Sequence, residues 1–94
     1  MRKIVWSDYA KQDFAQILEF LKETFGSQTV LTFIERTDRV IDQIETFPFS
    51  YPISDKNPQL RKAVLNKNVS LIYRISKKQI ELVFFWDNRM KDLQ

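Results

Sequence analysis

The chain contains one glycine, Gly26, and this residue separates two long amphipathic helical patterns. In both patterns apolar side chains recur at spacings of three and four residues, which is the period of one helical face. A connection as short as Gly26–Ser27 predicts an antiparallel helical hairpin, whose two apolar stripes need a cover from elsewhere in the chain. The stripes are Ala10, Phe14, Ile17, Leu18, Leu21 and Phe25, and then Val30, Phe33, Ile34, Thr37, Val40, Ile41, Ile44 and Phe47.

The ends of the two helices carry recognisable signals. Ser7 is a good N-cap residue, and Asp8 places an acid in the first turn, where the helix dipole favours it. Gly26 suits a left-handed C′ position, and Ser27 can cap the second helix. Pro48 ends that helix because proline lacks an N–H and disfavours helix in the residue before it.

The predicted cover is a small β-sheet. Lys3–Trp6 is a short β-type run, and three longer runs follow an irregular loop at Phe47–Pro58. The longer runs are Leu60–Asn66, Val69–Ser76 and Gln79–Trp86, joined by short turns at Lys67–Asn68 and Lys77–Lys78. We therefore predict one α+β domain over residues 1–94, in the order β-α-α-β-β-β, with the helical hairpin packed on a small antiparallel sheet.

Alternation along the last two runs predicts which side chains face the helices. The predicted core face carries Val69, Leu71, Tyr73, Ile75, Ile80, Leu82, Phe84 and Trp86. Tyr73 is then a core residue whose hydroxyl bonds a partner. The opposite face would carry Ile72, Val83 and Phe85, and an apolar surface of that kind is a predicted seat for a protein partner.

Missing residue types exclude several functions. The chain has no cysteine, which removes thiol chemistry and fits a reducing cytoplasm, and no histidine, which removes the commonest general base and metal ligand. No signal peptide or membrane-spanning run is apparent, so a cytoplasmic protein without a membrane association, cofactor or metal is expected.

Charge is unevenly distributed. Residues 1–46 carry six Lys/Arg and eight Asp/Glu, a net −2, whereas residues 47–94 carry nine and four, a net +5. The basic half predicts either an anionic partner or strand edges protected by charge against pairing with neighbours. The charge alone does not choose between these interpretations.

Several motifs occur in a recognisable order. They are W-S-D-Y-A-K-Q-D-F at Trp6–Phe14, F-P at Phe47–Pro48, L-R-K at Leu60–Lys62, L-I-Y-R-I at Leu71–Ile75 and W-D-N-R at Trp86–Arg89. Together, from Ile4 to Arg89, the chain resembles the RelE/ParE superfamily of toxins from bacterial type II toxin–antitoxin modules, often labelled plasmid stabilisation proteins. The resemblance implies a toxin that a cognate antitoxin neutralises. It also implies contact with operator DNA only through that antitoxin, and leaves open a homodimer or a heterotetramer with it.

The superfamily has two activities. RelE-like members cut mRNA on the ribosome with a cluster of Lys and Arg, whereas ParE-like members inhibit DNA gyrase by binding. Aligned through L-I-Y, the second strand lysine of the RelE-like pattern falls on Ala63 and an arginine falls on Ser70. An arginine is retained as Arg89, but a following tyrosine is missing from Met90–Gln94. These departures favour a ParE-like toxin that is not an enzyme.

Two alternatives remain at this point. The first is a ribosome-dependent endoribonuclease that uses Arg61, Lys62 and Arg89, and the second is a decayed family member that is no longer toxic. The carboxylates Glu81 and Asp87 are better explained as an outward strand residue and a turn residue than as catalysts.

The candidate residues for binding the target or the antitoxin are Arg61, Lys62, Arg74, Arg89, Ile72, Val83 and Phe85. Arg61 could instead form an internal salt bridge to the acidic helical hairpin. Arg89 is expected to project from the end of the sheet beside the irregular loop.

Overall fold

The computed structural model describes residues 1–89. Its elements are β1 (Lys3–Trp6), α1 (Asp8–Phe25), α2 (Ser27–Thr46), β2 (Arg61–Val64), β3 (Val69–Ile75) and β4 (Gln79–Asp87). The predicted order β-α-α-β-β-β and the α+β class are confirmed. Neither helix in the described part of the chain is long and apolar enough to cross a membrane.

Helix α1 begins with the predicted cap. The hydroxyl of Ser7 accepts a hydrogen bond of 3.0 Å from the N–H of Ala10, which satisfies one of the free donors of the first turn. The hydroxyl also donates to the carbonyl of Val83, so the same side chain joins the start of α1 to β4.

Gly26 ends α1, but not in the left-handed conformation predicted from the sequence. Its φ is 96° and its ψ is 176°, a region that is essentially restricted to glycine. Its N–H donates to the carbonyls of Leu21 and Lys22 at 3.1 and 3.0 Å. Gly26 is also the N-cap of α2, which has no side-chain cap, so the prediction that Ser27 caps this helix is wrong.

The last residue of each predicted apolar stripe lies outside the core. Phe25 and Phe47 are both 58% exposed, because α1 ends at Phe25 and α2 ends one residue before Phe47. The middle of the second stripe is as predicted. Thr37 is buried, and its hydroxyl donates to the carbonyl of Phe33 at 2.8 Å.

The four strands form one sheet in the order β1-β4-β3-β2. The β2–β3 and β3–β4 pairs are antiparallel, as predicted, whereas β1 pairs parallel to β4, so the complete sheet is mixed. β1 sits beside the last strand because the chain leaves the sheet through the helical hairpin and returns at its far edge.

A β-bulge interrupts the pairing of β3 with β4. Ile72 pairs with Phe84 and the next residue, Tyr73, pairs with Leu82, so Val83 is an extra residue in β4. Such an insertion reverses the alternation of side chains beyond it. Leu82 faces the helices before the bulge, and Phe85 faces them after it.

Four aromatic rings, Trp6, Phe14, Phe33 and Phe85, connect the helices to the sheet. The ring centroid of Phe14 lies 5.4 Å from the centroids of Trp6 and Phe85 and 5.9 Å from that of Phe33. The cluster therefore joins β1, α1, α2 and β4. The rest of the buried core includes Ala10, Ile17, Leu21, Ile44, Ala63, Leu65, Val69, Leu71, Tyr73, Ile80 and Leu82.

Candidate functional site

The loop between α2 and β2 folds back along the edge of the sheet. The N–H of Ser54 donates to the carbonyl of Leu60 at 2.8 Å, and the N–H of Lys62 donates to the carbonyl of Pro52 at 3.0 Å. These bonds occupy backbone groups that an edge strand would otherwise leave open. The loop therefore protects β2 and forms one wall of a groove.

This outer groove lies on the sheet face that points away from the helices. Lys62, Ile72 and Phe84 are neighbours across three strands and so share that face. The groove has a volume of about 580 Å³ and combines an apolar floor with a loop wall. Its lining residues are Tyr51, Pro52, Ile53, Ser54, Asp55, Lys56, Asn57, Leu60, Lys62, Val64, Ile72, Phe84 and Trp86.

Cationic side chains lie at the rim of the outer groove. Lys62 is exposed on β2, and the Nζ of Lys56 lies 5.9 Å from the ring centroid of Trp86, within reach of a cation–π interaction. The indole N–H of Trp86 donates to the side-chain oxygen of Asn88 at 2.9 Å. Among the described residues that line the groove, Asp55 is the one acid, so the groove can take an apolar segment that carries negative charge.

The predicted second face is right for Ile72 and wrong for Phe85. Ile72 lies on the floor of the outer groove, whereas Phe85 is 5% exposed and packs on Phe14 in the core. The bulge at Val83 causes the exchange, so Phe84 and Trp86 occupy the groove instead of the core. Nothing in the sequence marks the bulge, since no glycine lies in β4.

Arg61 is held by the loop. Its guanidinium donates to the carbonyls of Tyr51 at 2.7 Å and Phe49 at 3.3 Å, and its Cζ lies 5.1 Å from the ring centroid of Phe49. It forms no ion pair with the described residues, so the alternative of a salt bridge to the helical hairpin is not found among them. The acceptors are backbone carbonyls, which sequence charge patterns cannot identify.

The other two candidate arginines pair with carboxylates. Arg74 pairs with Glu81 on the outer face of the sheet. The guanidinium of Arg89 donates two hydrogen bonds to the carboxylate of Asp87, from Nε at 3.0 Å and from Nη2 at 2.9 Å. Its Cζ lies 4.8 Å from the ring centroid of Phe20 in α1. Arg89 is thus folded against α1 and does not project beside the loop as expected. Positions 90–94, where the RelE-like pattern has a tyrosine that this sequence lacks, lie outside the described residues.

The two positions that depart from the RelE-like pattern lie on opposite faces of the sheet. Ala63 is completely buried and pairs with Leu71 on the core face, whereas Ser70 pairs with Trp86 on the outer face. A lysine at position 63 would therefore point into the core. Lys62 is the β2 cation that reaches the outer groove, one residue before the position that alignment through L-I-Y predicts for the lysine.

Asp13 is a carboxylate with a raised pKa, and no sequence motif identifies it. It lies on α1, and its Oδ2 accepts a hydrogen bond of 3.0 Å from the N–H of Phe85. Burial raises the pKa of Asp13 above its ordinary value of 3.8, and the bond from Phe85 only partly offsets this effect. The bond satisfies a backbone donor of β4 beyond the end of β1, which indicates a structural role.

Tyr73 is buried as predicted, and its hydroxyl donates to the carbonyl of Pro48 at 2.6 Å. Burial raises the pKa of Tyr73 to about 12, although the positive charge of Arg61 acts in the opposite direction. The phenol is consequently uncharged at neutral pH and closed off from solvent. It fastens the loop to the sheet.

Comparison with known protein families gives one match over most of the chain. Residues 4–91 match the family described as ParE toxin of the type II toxin–antitoxin system, parDE. The sequence matches none of the curated proteins.

Several solved structures share the fold at low sequence identity. The chromosomal ParDE system from P. aeruginosa is 16% identical with a TM-score of 0.73, covering 93% of this chain and 96% of that one. The YoeB/ParE toxin from Agrobacterium tumefaciens is 17% identical with a TM-score of 0.68, covering 90% and 96%. The E. coli DinJ–YafQ complex is 14% identical with a TM-score of 0.60, covering 97% and 98%. At these identities the likeness establishes the fold.

Proposed function

The chain belongs to the ParE toxin family of type II toxin–antitoxin systems, and from that membership we propose that it inhibits DNA gyrase by binding it and is neutralised by a cognate antitoxin. The gyrase target follows from the ParE-like members that the sequence resembles. The choice of binding over RNA cleavage rests on one observation. The candidate arginines of the sheet already form hydrogen bonds or ion pairs within the chain.

RNA cleavage without a metal needs a base for the 2′-hydroxyl, cations for the phosphorane and an acid for the leaving oxygen. Arg61 is bonded to loop carbonyls, while Arg74 and Arg89 are paired with carboxylates. An arginine side chain also stays protonated at neutral pH, so it cannot act as the general base. The phenol of Tyr73 is buried and its hydroxyl is bonded to the carbonyl of Pro48, so it is not available for either role.

The outer groove is the proposed seat of the antitoxin. Its floor exposes apolar and aromatic side chains, and its rim carries Lys56 and Lys62. A segment with apolar anchors flanked by acids would cover the floor and complement the rim. The P. aeruginosa and E. coli relatives, described as a ParDE system and a DinJ–YafQ complex, support an antitoxin partner.

A charge placed in the groove tests that seat. Val64 lines the groove and is 57% exposed, so Val64→Glu should fold normally but repel an acidic segment and remove apolar contact. We expect antitoxin affinity to fall at least about tenfold, equivalent to about 1.4 kcal/mol. Calorimetric titration with the antitoxin encoded beside the toxin measures it.

Leu31→Glu is the matched control, because Leu31 is 54% exposed on α2 and lies outside the groove. This variant should bind the antitoxin as the unmodified toxin does. Equal affinities for Val64→Glu and the unmodified toxin would place the antitoxin elsewhere.

A second candidate function is RelE-like cleavage of mRNA on the ribosome. It is favoured by Lys62 on the outer groove, which forms no ion pair with residues 1–89, and by the buried position of Ala63, which weakens the argument from a missing lysine. This function predicts mRNA cuts within translated codons after induction, and Lys62→Gln should then relieve toxicity and reduce the cutting in cells that lack the antitoxin.

Induction of the toxin without its antitoxin separates the functions. Gyrase inhibition predicts growth arrest with a DNA damage response and intact mRNA, whereas the nuclease predicts arrest with cut mRNA. Normal growth with retained antitoxin binding would identify a decayed family member and contradict both.

A further inference from the structure

Four basic side chains lie at one end of the sheet, outside both the outer groove and the core. At this end β1 begins, β3 ends and β4 begins. The N–H of Lys3 donates to the carbonyl of Lys78 at 3.1 Å, and the Nε of Arg2 donates to the carbonyl of Ser76 at 2.9 Å. These bonds bring the start of β1 against the Lys77–Lys78 turn. The basic end is defined by Arg2, Lys3, Lys77 and Lys78.

An aromatic ring extends the basic end. The Cζ of Arg2 lies 5.5 Å from the ring centroid of Phe49, and the Cζ of Arg61 lies 5.1 Å from the same centroid. Phe49 is nevertheless 61% exposed, so the two guanidiniums hold the ring in place without burying it. An exposed phenylalanine held in this way is available to a ligand.

The charges of the basic end are not neutralised within the described residues. Residues 1–89 contain two ion pairs, Arg74–Glu81 and Arg89–Asp87, and neither involves the basic end. Lys3, Lys77 and Lys78 are exposed. Four cations without an ion pair among the described residues, beside an exposed aromatic ring, attract a polyanion.

We propose that the basic end binds the phosphate backbone of nucleic acid, with Phe49 contacting an unpaired base. Each phosphate along a strand carries a negative charge that a cluster of cations can bind, and the exposed part of the Phe49 ring can contact an unpaired base. This direct contact goes beyond the expectation that DNA is reached only through the antitoxin. It does not depend on the gyrase target.

Fluorescence anisotropy with labelled single- and double-stranded oligonucleotides tests the proposal. The site variant is Arg2→Gln/Lys77→Gln/Lys78→Gln, and the control is Lys11→Gln/Lys22→Gln/Lys67→Gln, which removes the same charge from exposed positions elsewhere. At about 50 mM salt we expect the site variant to lose at least about tenfold in affinity and the control to lose less than about threefold. The slope of log affinity against log salt for duplex should fall by about two to three for the site variant.

Phe49→Ser separates the ring from the charges. It should weaken single-stranded binding about tenfold and leave duplex binding and the salt slope nearly unchanged. Lys77→Gln/Lys78→Gln guards against a folding defect, because neither side chain forms a described hydrogen bond or ion pair, and it should already lower the salt slope by about one to two.

Equal losses in the site and control variants would overturn the proposal, as would an unmodified toxin that binds neither oligonucleotide. A polyglutamate peptide that binds as tightly as DNA, with the same dependence on the basic end, would also overturn it by assigning the surface to an acidic protein. Gyrase inhibition is measured separately, so either idea can fail alone.

Discussion

At the scale of single residues, Ser7 and Asp13 hydrogen-bond the backbone of β4 where β1 no longer pairs with it. β1 ends at Trp6, opposite Leu82, but β4 continues beyond it. The N–H of Ser7 bonds the carbonyl of Leu82 at 3.0 Å, and Asp13 accepts the N–H of Phe85. Backbone groups that would otherwise be buried without partners are thus satisfied.

Asp13→Ala should destabilise the fold. The substitution leaves the N–H of Phe85 without an acceptor beside a buried ring, which costs about 1–3 kcal/mol of unfolding free energy. Asp13→Asn keeps an acceptor and should cost much less. Urea denaturation of the three proteins measures the differences, and equal losses for alanine and asparagine would contradict this role.

The pH dependence of the same residue has a definite sign. Because burial raises the folded-state pKa of Asp13 above 3.8, the native state holds this proton more tightly than the unfolded state. The contribution to stability is therefore complete below pH 3.8 and is lost as pH rises through the folded pKa. The stability of the unmodified protein relative to Asp13→Asn should fall with rising pH over that range, and a rise would contradict the assignment.

Arg89→Ala should act on stability before it acts on any target. It leaves the carboxylate of Asp87, whose side chain is 3% exposed, without its guanidinium, which costs about 3 kcal/mol. Arg74→Ala removes the more exposed pair with Glu81 and should cost less than about 1 kcal/mol. Thermal unfolding of both variants measures this contrast.

Growth assays of Arg89→Ala need the double variant Arg89→Ala/Asp87→Ala beside it. The double variant carries no unpaired carboxylate and should recover part of the lost stability. If Arg89→Ala abolishes toxicity with unchanged unfolding free energy, Arg89 acts on the target and the structural role is wrong.

At the scale of elements, the helical hairpin depends on one backbone conformation. Gly26 has a φ of 96°, and a Cβ at this position would meet no neighbouring atom within 4 Å. Any penalty for a side chain at position 26 therefore comes from the backbone alone.

Gly26→Ala should cost about 1–3 kcal/mol of unfolding free energy through that strain. Ser27→Ala is the neighbouring control and should be nearly neutral, because Ser27 provides no cap. Denaturant unfolding measures both. A neutral Gly26→Ala would mean that the turn adopts another conformation at little cost.

Much of the element pattern could be predicted from the sequence, because burial imposes periods of 3.6 and 2 on helices and strands. The single glycine, Pro48 and the apolar stripes define both helices well. The bulge at Val83 could not be predicted, since it is a property of how β4 pairs with β3. One inserted residue moved Phe84 and Phe85 to the faces opposite those predicted.

The sequence predicts less of the candidate site than of the fold. Ile72 and Lys62 line the outer groove, whereas the bonds that Arg61 and Arg89 form within the chain could not be predicted. Guanidiniums bonded to carbonyls leave no mark in a sequence, because every residue carries a carbonyl. The groove also depends on the loop, whose course follows from hydrogen bonds to β2.

At the scale of the whole molecule, three surfaces have different characters. The core face of the sheet packs on the helices, the outer face forms an apolar groove, and one end of the sheet carries cations. The basic surplus of residues 47–89 thus does not form one patch. Some of it is internal, at Arg61 and Arg89, and the exposed remainder includes Lys62, Lys77 and Lys78.

A supercoiling assay with purified gyrase, relaxed plasmid and the full toxin chain tests the central claim most directly. We predict that supercoiling falls as toxin is added, that cleaved plasmid accumulates, and that the antitoxin restores activity. Unchanged supercoiling at a high excess of folded toxin would contradict the claim.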